Sequence, residues 1–445
     1  MTREAVRQEV ISALGDRKLL WFGVRGDEAD AFSDLPQFAG VFSSMSRYGR
    51  RSSIRSVSYE DDAGVRPDME TWRLDARTSN PVTARFRAAA LDIMKGPCTV
   101  VPYRPTDFIS SLVLARQPQC QYLGVFSANQ VGFEYKPWVE QEVRKIGVPT
   151  IPWRYIADED KLMALRLLSE GPIVVRSSRG SGGNGTFFVD SPDALDEAWR
   201  PGDDAFMSVS PFLADYQPAN MAGVVWNEGV TFHPMSAQII GVPELTSRSF
   251  GYCGNDFGWA QRIDLTVAKT MVDATARIGG WLHRFGYLGA FGVDYMVGPG
   301  GDVVFTELNP RFQGSTVVSC KVSWAAGETD VVLEHMAACL GLPKPTEEAR
   351  LAERLSTWPA MMHAYAHWVG RNAMMGGVSR LQSALRKQAP GVTIDMTPPG
   401  NIYLEPEGIL AHMTAQDLLV AGNGLWPTIL RSIHDFTTNA DDGKE

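Results

Sequence analysis

The chain has 445 residues, with 42 Lys plus Arg against 51 Asp plus Glu, a formal net charge of −9. That balance argues against a polyanion-binding surface spread over the molecule, so nucleic acid is not an expected partner. At 44% hydrophobic and 21% charged residues, the composition is that of an ordinary globular protein with roughly three domains' worth of chain.

The N-terminal stretch MTREAVRQEVISALGDRK carries charges throughout and lacks an apolar signal core, and no apolar run approaches the ~18 residues of a membrane span. The five cysteines (Cys98, Cys120, Cys253, Cys320, Cys339) are odd in number and widely spaced, so no disulfide framework or CxxC zinc site is written. The expectation is a cytoplasmic protein with no membrane partner, its oligomeric state open to homo-oligomerisation.

Up to residue 128, apolar strands KLLWFGV (18–24), GVFSSM (40–45), CTVVPY (98–103) and CQYLGVF (120–126) alternate with helical patterns such as VTARFRAAALDIM (82–94). This predicts an α/β domain over 1–128. A second domain is expected over 129–345. It opens with a helix carrying Lys136, continues through strand-like PTIPWRYI and a helix DEDKLMALRLLSE capped by Asp158, and contains a glycine cluster between two strands. Consecutive strands follow over 206–242, then an amphipathic helix over 265–285 with Trp281 on its core face, a β-hairpin over 288–309, and a helix from near Glu328 to Gly341. Two prolines and charges in LPKPTEEAR suggest a boundary, followed by a mixed α+β region (351–438) and a polar, acidic tail (439–445) expected to be disordered.

Gly180, Gly182 and Gly185 satisfy G-x-G-x-x-G, but the dinucleotide fingerprint requires a helix after the loop, whereas TFFV continues as a strand. No GK[ST] follows to make a P-loop. A glycine-rich hairpin loop still lets backbone N–H groups approach phosphate oxygens closely, and Ser181 and Asn184 add donors beside Gly182 and Gly183. Arg176 on the incoming strand joins them if it faces the same phosphates; otherwise it is a solvent-facing strand charge.

The stretch GAFGVDYMVGPGGDVVFTELNPRF (289–312) is the most informative. A two-residue Gly300–Gly301 turn sets Asp294 opposite Glu307 and Gly292 opposite Asn309, with Glu307 and Asn309 on one face. Facing carboxylates repel unless a cation offsets them, and an all-oxygen set suits Mg²⁺. Arg311, just after the strand-ending Pro310, places a fixed positive charge beside metal and phosphates. Arg248, in a loop before a glycine-rich segment, is a candidate contact to a triphosphate or acyl phosphate. His363 and His367 stand four apart on an apparent helix, but Ala364 replaces the glutamate of HExxH, so packing or surface roles are expected.

These residues resemble the ATP-grasp superfamily over about 129–341. TELNPR looks like its E-x-N-P-R metal motif, with Asp294 as the upstream acidic ligand, and RGSGGNG looks like its phosphate-covering loop. Lys136 and Arg176 fall where that family places two basic phosphate contacts, with arginine replacing the more frequent lysine. The adenine hinge should lie in VSPFL (209–213), with the backbone of Phe212 and Leu213 holding the base, although Ser210 and Pro211 stand where a glutamate is usual. The resemblance implies an ATP-grasp fold preceded by an α/β domain and followed by a C-terminal extension. VVPYRPTDF, FGYCGNDF and that extension look most like pheganomycin-type peptide ligases. ATP and Mg²⁺ are the implied cofactors, and a small carboxylate with an amine or peptide acceptor the implied substrates. The implied reaction is amide formation through an acyl phosphate, releasing ADP and phosphate, with Arg311 stabilising the anionic intermediate. Two alternatives stay open: a non-catalytic ATP- and Mg²⁺-binding protein of this fold, or transfer of the acyl phosphate to a thiol or bicarbonate.

Overall fold

Seven of the eight residues of KLLWFGVR are buried, which requires cover on both faces and suits a parallel strand. The computed structural model describes residues 2–46, 54–66, 81–346, 349–375, 381, 383, 385–387, 391–395, 401–416 and 425–441. In it, Lys18–Arg25 is the centre of a five-stranded parallel sheet ordered Arg55–Ser58, Phe38–Met45, Lys18–Arg25, Cys98–Pro102, Cys120–Tyr122. Leu20 and Phe22 face helices Pro81–Ile93 and Asp107–Ala115, whereas Leu19 and Trp21 face the layer formed by helices Arg3–Leu14 and Val331–Cys339. Strand order reverses between the first and fourth strands, so Arg25 and Tyr103, at their carboxyl ends, border the crevice where such sheets hold ligands.

A second, antiparallel sheet is ordered Arg154–Ala157, Phe206–Pro211, Ile173–Arg176, Thr186–Val189, and its hairpin holds the glycine loop. The largest sheet runs Val303–Asn309, Gly289–Val297, Gln217–Trp226, Ser236–Ile240, Tyr252–Asp256, Met362–His367, Ile409–Ala415, Val392–Asp395, with Gly229–Phe232 beside Gln217–Trp226. Helix Leu265–Arg284 lays Met271, Ile278, Trp281 and Leu282 into the core below it.

Several sequence expectations are corrected here. His363 and His367 lie on a strand, not a helix: MHAYAH alternates with period two, and it pairs with Tyr252–Asp256 on one side and Ile409–Ala415 on the other. Within region 351–438, strands Met362–His367, Val392–Asp395 and Ile409–Ala415 continue the same sheet, whereas Met374–Met375 and Tyr403–Leu404 form a small separate sheet with Val65–Arg66. Prolines 149 and 152 confine the PTIPWRYI strand to Arg154–Ala157, with one bridge from Thr150 to Phe305. Asp158 does not cap the next helix, which starts at Lys161; it accepts a hydrogen bond from Trp199 Nε1 at 2.7 Å. The helix expected near Glu328 begins at Val331, with Asp330 as its N-cap, and an unforeseen helix, Thr316–Ala325, precedes it. The final helix runs through Asp441, so 439–441 are helical, and 442–445 lie outside the described residues.

The seam between Tyr252–Asp256 and Met362–His367 needs a residue without Cβ. Gly254 has φ +147°, and a Cβ there would stand 2.0 Å from the His363 carbonyl oxygen. Gly254→Ala should destabilise the protein by about 2–3 kcal/mol, read as a lower urea midpoint. A wild-type midpoint would deny the close approach.

Candidate active site

A cavity of about 250 Å³ lies between the glycine-loop sheet and the 289–309 hairpin. Its walls include Lys136, Arg176, Gly182 and Gly183 on one side and Asp294, Glu307, Asn309 and Arg311 on the other, with Phe212 and Leu213 at a third edge. Ser181 and Arg248 are not among its lining residues. Ser181 accepts the Asn184 N–H at 3.0 Å within the loop turn, and Arg248 lines a smaller adjoining cavity.

Asp294 pairs with Glu307 and Gly292 with Asn309, but not through the expected two-residue turn. Gly298 N–H donates to Asp302 O and Gly301 has φ +83°, which makes a three-residue loop over 299–301. That loop alone would shift the register by one. A bulge at Thr306, between the pairs Tyr295↔Phe305 and Asp294↔Glu307, restores it.

Asp294 Oδ1 accepts from Asn220 Nδ2 at 2.6 Å and from Gln238 Nε2 at 3.1 Å, while Oδ2 accepts from Asn309 Nδ2 at 3.0 Å. Even so, burial, and then the facing Glu307, push the Asp294 carboxyl up to about 7. Among the described residues no three His, Cys, Asp or Glu side chains are grouped to hold a metal. The candidate set is therefore two carboxylates and the Asn309 amide. Opposed, half-buried and oxygen-only, it fits a hard divalent cation such as Mg²⁺.

Lys136 opens helix Lys136–Lys145 and brings Nζ to 3.3 Å from Glu307 Oε1. Burial, with help from Arg176, lowers its pKa despite Glu307. One turn on, Glu140 bonds the Arg176 guanidinium and accepts from the Tyr155 hydroxyl at 2.8 Å. Arg176 also stacks 4.0 Å over Trp153. It is thus a buried cleft residue rather than a solvent-facing strand charge.

The glycine loop is docked: a Cβ at Gly183 (φ +82°) would meet the Phe250 carbonyl oxygen at 2.1 Å. Phe212 N–H donates to Pro172 O at 2.9 Å, so this hinge donor is already committed, and the Phe212 ring instead packs edge-on to Phe188 and Phe250. Ile151, Trp153, Val174 and Met296 complete an apolar slot.

Sequence reasoning missed Asn220, Gln238 and Gln313, which sit on or beside neighbouring strands and line the cleft next to Asp294. It also missed Arg25, Tyr103 and Tyr252. Tyr252 is backed by His363, whose Nε2 is 3.5 Å from the hydroxyl and whose Nδ1 is 3.3 Å from His412 Nε2. His412 in turn stacks on Tyr365 with ring centroids 4.4 Å apart. Carboxamides and aromatics announce no chemistry in a sequence; an amide next to an acidic motif in space was the only signal, and it is invisible along the chain.

No protein-family model matches the chain. Among solved structures, the ADP complex of an N5-carboxyaminoimidazole ribonucleotide synthetase matches 96% of this chain and 98% of its own, with a TM-score of 0.61 and 12% identity. Biotin carboxylase from Campylobacter jejuni, as its β-γ-ATP complex, matches 92% of this chain and 90% of its own, with a TM-score of 0.62 and 14% identity. The fold is the ATP-grasp fold. By sequence, the chain is 27% identical over 214 residues to the formate-dependent phosphoribosylglycinamide formyltransferase of Nitratidesulfovibrio vulgaris, covering 45% of this chain and 48% of that protein. It is 27% identical over 270 residues to the protein of that name from Synechococcus sp. (strain WH7803), covering 58% and 64%. The chain spans about half the length of the first of these curated relatives.

Two stability predictions follow from the groups behind the cleft. Glu140→Gln leaves the Arg176 guanidinium buried without its partner and should cost about 3 kcal/mol, while the Glu140→Gln/Arg176→Gln double variant should cost less than the sum of the singles. Strict additivity in urea unfolding would deny the pairing. Burial lowers the His363 pKa to about 3 and holds His412 well below its ordinary value. The unfolded chain therefore binds more protons than the folded one from about pH 6.5 downward, and stability falls as pH falls through that window. The loss between pH 7.5 and 5.5 should be smaller by about 1.4 kcal/mol in His363→Gln than in wild type. Equal losses would mean that His363 is not held neutral.

Proposed function

We propose that the protein is an ATP-dependent, ADP-forming ligase that activates a carboxylate as an acyl phosphate and joins it to the amine of an amino acid or peptide. The observation that carries this reading is the facing pair Asp294 and Glu307, with Asn309, on the same cleft wall approached by two buried cations, Lys136 and Arg176, under the glycine loop. The curated relatives lend support, because a formate-dependent formyltransferase also acts with a carboxylic acid.

In this reading, the apolar slot takes the adenine. With the Phe212 N–H committed, the hinge offers the Pro211 carbonyl and the Leu213 N–H, an acceptor and a donor two residues apart. Lys136 and Arg176 orient the phosphates, and the loop around Gly182 and Gly183 excludes water from the terminal one. Asp294, Glu307 and Asn309 would hold magnesium, which when bound neutralises charge on the phosphoryl group in transfer. The substrate carboxylate oxygen forms a bond to the γ-phosphorus, and the β–γ bridging P–O bond breaks with its electron pair leaving on ADP. The amine nitrogen then bonds to the acyl carbon, the C–O bond to phosphate breaks, and the ammonium proton is lost. Arg311, fixed by Phe312 O and Asn309 Oδ1 at 3.0 Å each, stands beside the metal ligands where negative charge builds in both steps. That placement favours catalysis over a binding-only protein.

The test is product analysis. ADP and phosphate should form only with a carboxylate present, and hydroxylamine should trap a hydroxamate when the acceptor is omitted. Glu307→Gln should lower turnover by about 100-fold or more while the protein stays folded. AMP and pyrophosphate would overturn the acyl phosphate, and ATP binding with no carboxylate-stimulated turnover would favour the binding-only reading.

A further inference from the structure

The second cavity has no part in the phosphoryl transfer described above. It is small, about 30 Å³, and shares Arg25, Gly182 and Tyr252 with the cleft but none of Asp294, Glu307, Asn309 or Arg311. It therefore adjoins the cleft at the glycine loop rather than at the metal ligands, a place from which a second substrate could approach an acyl phosphate. Its size admits one functional group, so the body of any ligand stays in the cleft.

Its chemistry is that of an anion site. Arg25 enters from the switch point of the parallel sheet and Arg248 from the 242–251 loop. Arg25 is buried and rigid: Nε donates to Glu28 Oε1 at 2.8 Å, and the guanidinium stacks 4.7 Å over the Tyr365 ring. Glu28 lines neither of the two cavities, so its charge lies behind Arg25. Among the described residues that line it, the one carboxylate is Glu407. It accepts from Thr246 Oγ1 at 2.8 Å, Ser247 N at 2.7 Å and Ser247 Oγ at 2.6 Å, which ties down the loop that carries Arg248. Glu407 holds a left-handed backbone, φ +62°, to do so, and strain of that kind in a non-glycine residue gathers where placement matters.

We infer that this cavity binds an anionic group of the amine acceptor, a carboxylate or a phosphate monoester, between Arg25 and Arg248, so that the enzyme takes amino acids or anionic amines rather than simple amines. Glu407 is a positioning residue for Arg248. The inference rests on the ligase reading and extends it to the acceptor.

The test compares acceptors in the full-length protein, with MgATP and any carboxylate that yields a hydroxamate. Each amino acid is set against its amide, and phosphoethanolamine against ethanolamine, with ADP release as the readout. Wild type should prefer the anionic member by about tenfold or more in kcat/KM, and whichever pair shows the preference identifies carboxylate or phosphate. Hydroxylamine carries no anionic group and serves as the internal reference. In Arg25→Met/Glu28→Gln, which avoids a lone buried carboxylate, and in Arg248→Gln, the ratio of anionic-acceptor to hydroxylamine turnover should fall about tenfold or more, through KM. Glu407→Gln should lower it less than Arg248→Gln does. Equal use of acids and amides by wild type, or an unchanged ratio in both arginine variants, would overturn the subsite while leaving the ligase reading intact. A wild type that activates no carboxylate would overturn both, and is told apart because no hydroxamate forms at all.

Discussion

Two carboxylates held face to face on one hairpin are the constraint around which the rest of the site is arranged. Asp294 and Glu307 repel each other in a half-buried place, and side chains from neighbouring elements answer that charge. Asn220, Gln238 and Asn309 donate to Asp294, and Lys136 reaches Glu307 from another layer. Donors of this kind reduce the repulsion, yet burial first and the Glu307 charge second still raise the pKa of Asp294. What remains is a negative site suited to a cation, and a cation there brings phosphate oxygens with it.

The helix Lys136–Lys145 links that hairpin to the second sheet. Its first residue meets Glu307 and its fifth, Glu140, anchors Arg176 and Tyr155. One short helix thus sets the spacing between the carboxylate wall and the basic wall. Neither wall would have a fixed partner if that helix turned, because both contacts leave from one face at positions four apart.

The C-terminal strands have a larger part than a trailing extension suggests. Met362–His367, Ile409–Ala415 and Val392–Asp395 continue the central sheet beyond Tyr252–Asp256 and place His363 and His412 behind Tyr252, and this region brings Tyr365 and Glu407 to the smaller cavity. Hydrogen bonding between Tyr252–Asp256 and Met362–His367 runs across the boundary that prolines and charges in the connecting segment suggest.

The sequence by itself determined what depends on neighbours along the chain. Runs of β-branched and aromatic residues flanking glycines predicted the strands of both hairpins, and glycine without a following helix excluded a dinucleotide fold. The E-x-N-P-R segment and an acid one strand earlier placed the candidate metal ligands together, because a short loop leaves few ways to pair two strands. Even there the turn was misread, and a bulge at Thr306 restored the pairing that a different loop would have displaced. Only the tertiary structure decided which side chains from distant strands enter the cleft. The sheet order brings Asn220 and Gln238 to Asp294, the parallel sheet's switch point brings Arg25, and strands more than a hundred residues further on bring Tyr365 and Glu407 to Arg248. Such contacts are set by how layers pack and which strand lies next to which, and a carboxamide, tyrosine or lone arginine shows nothing of its neighbours until those layers close.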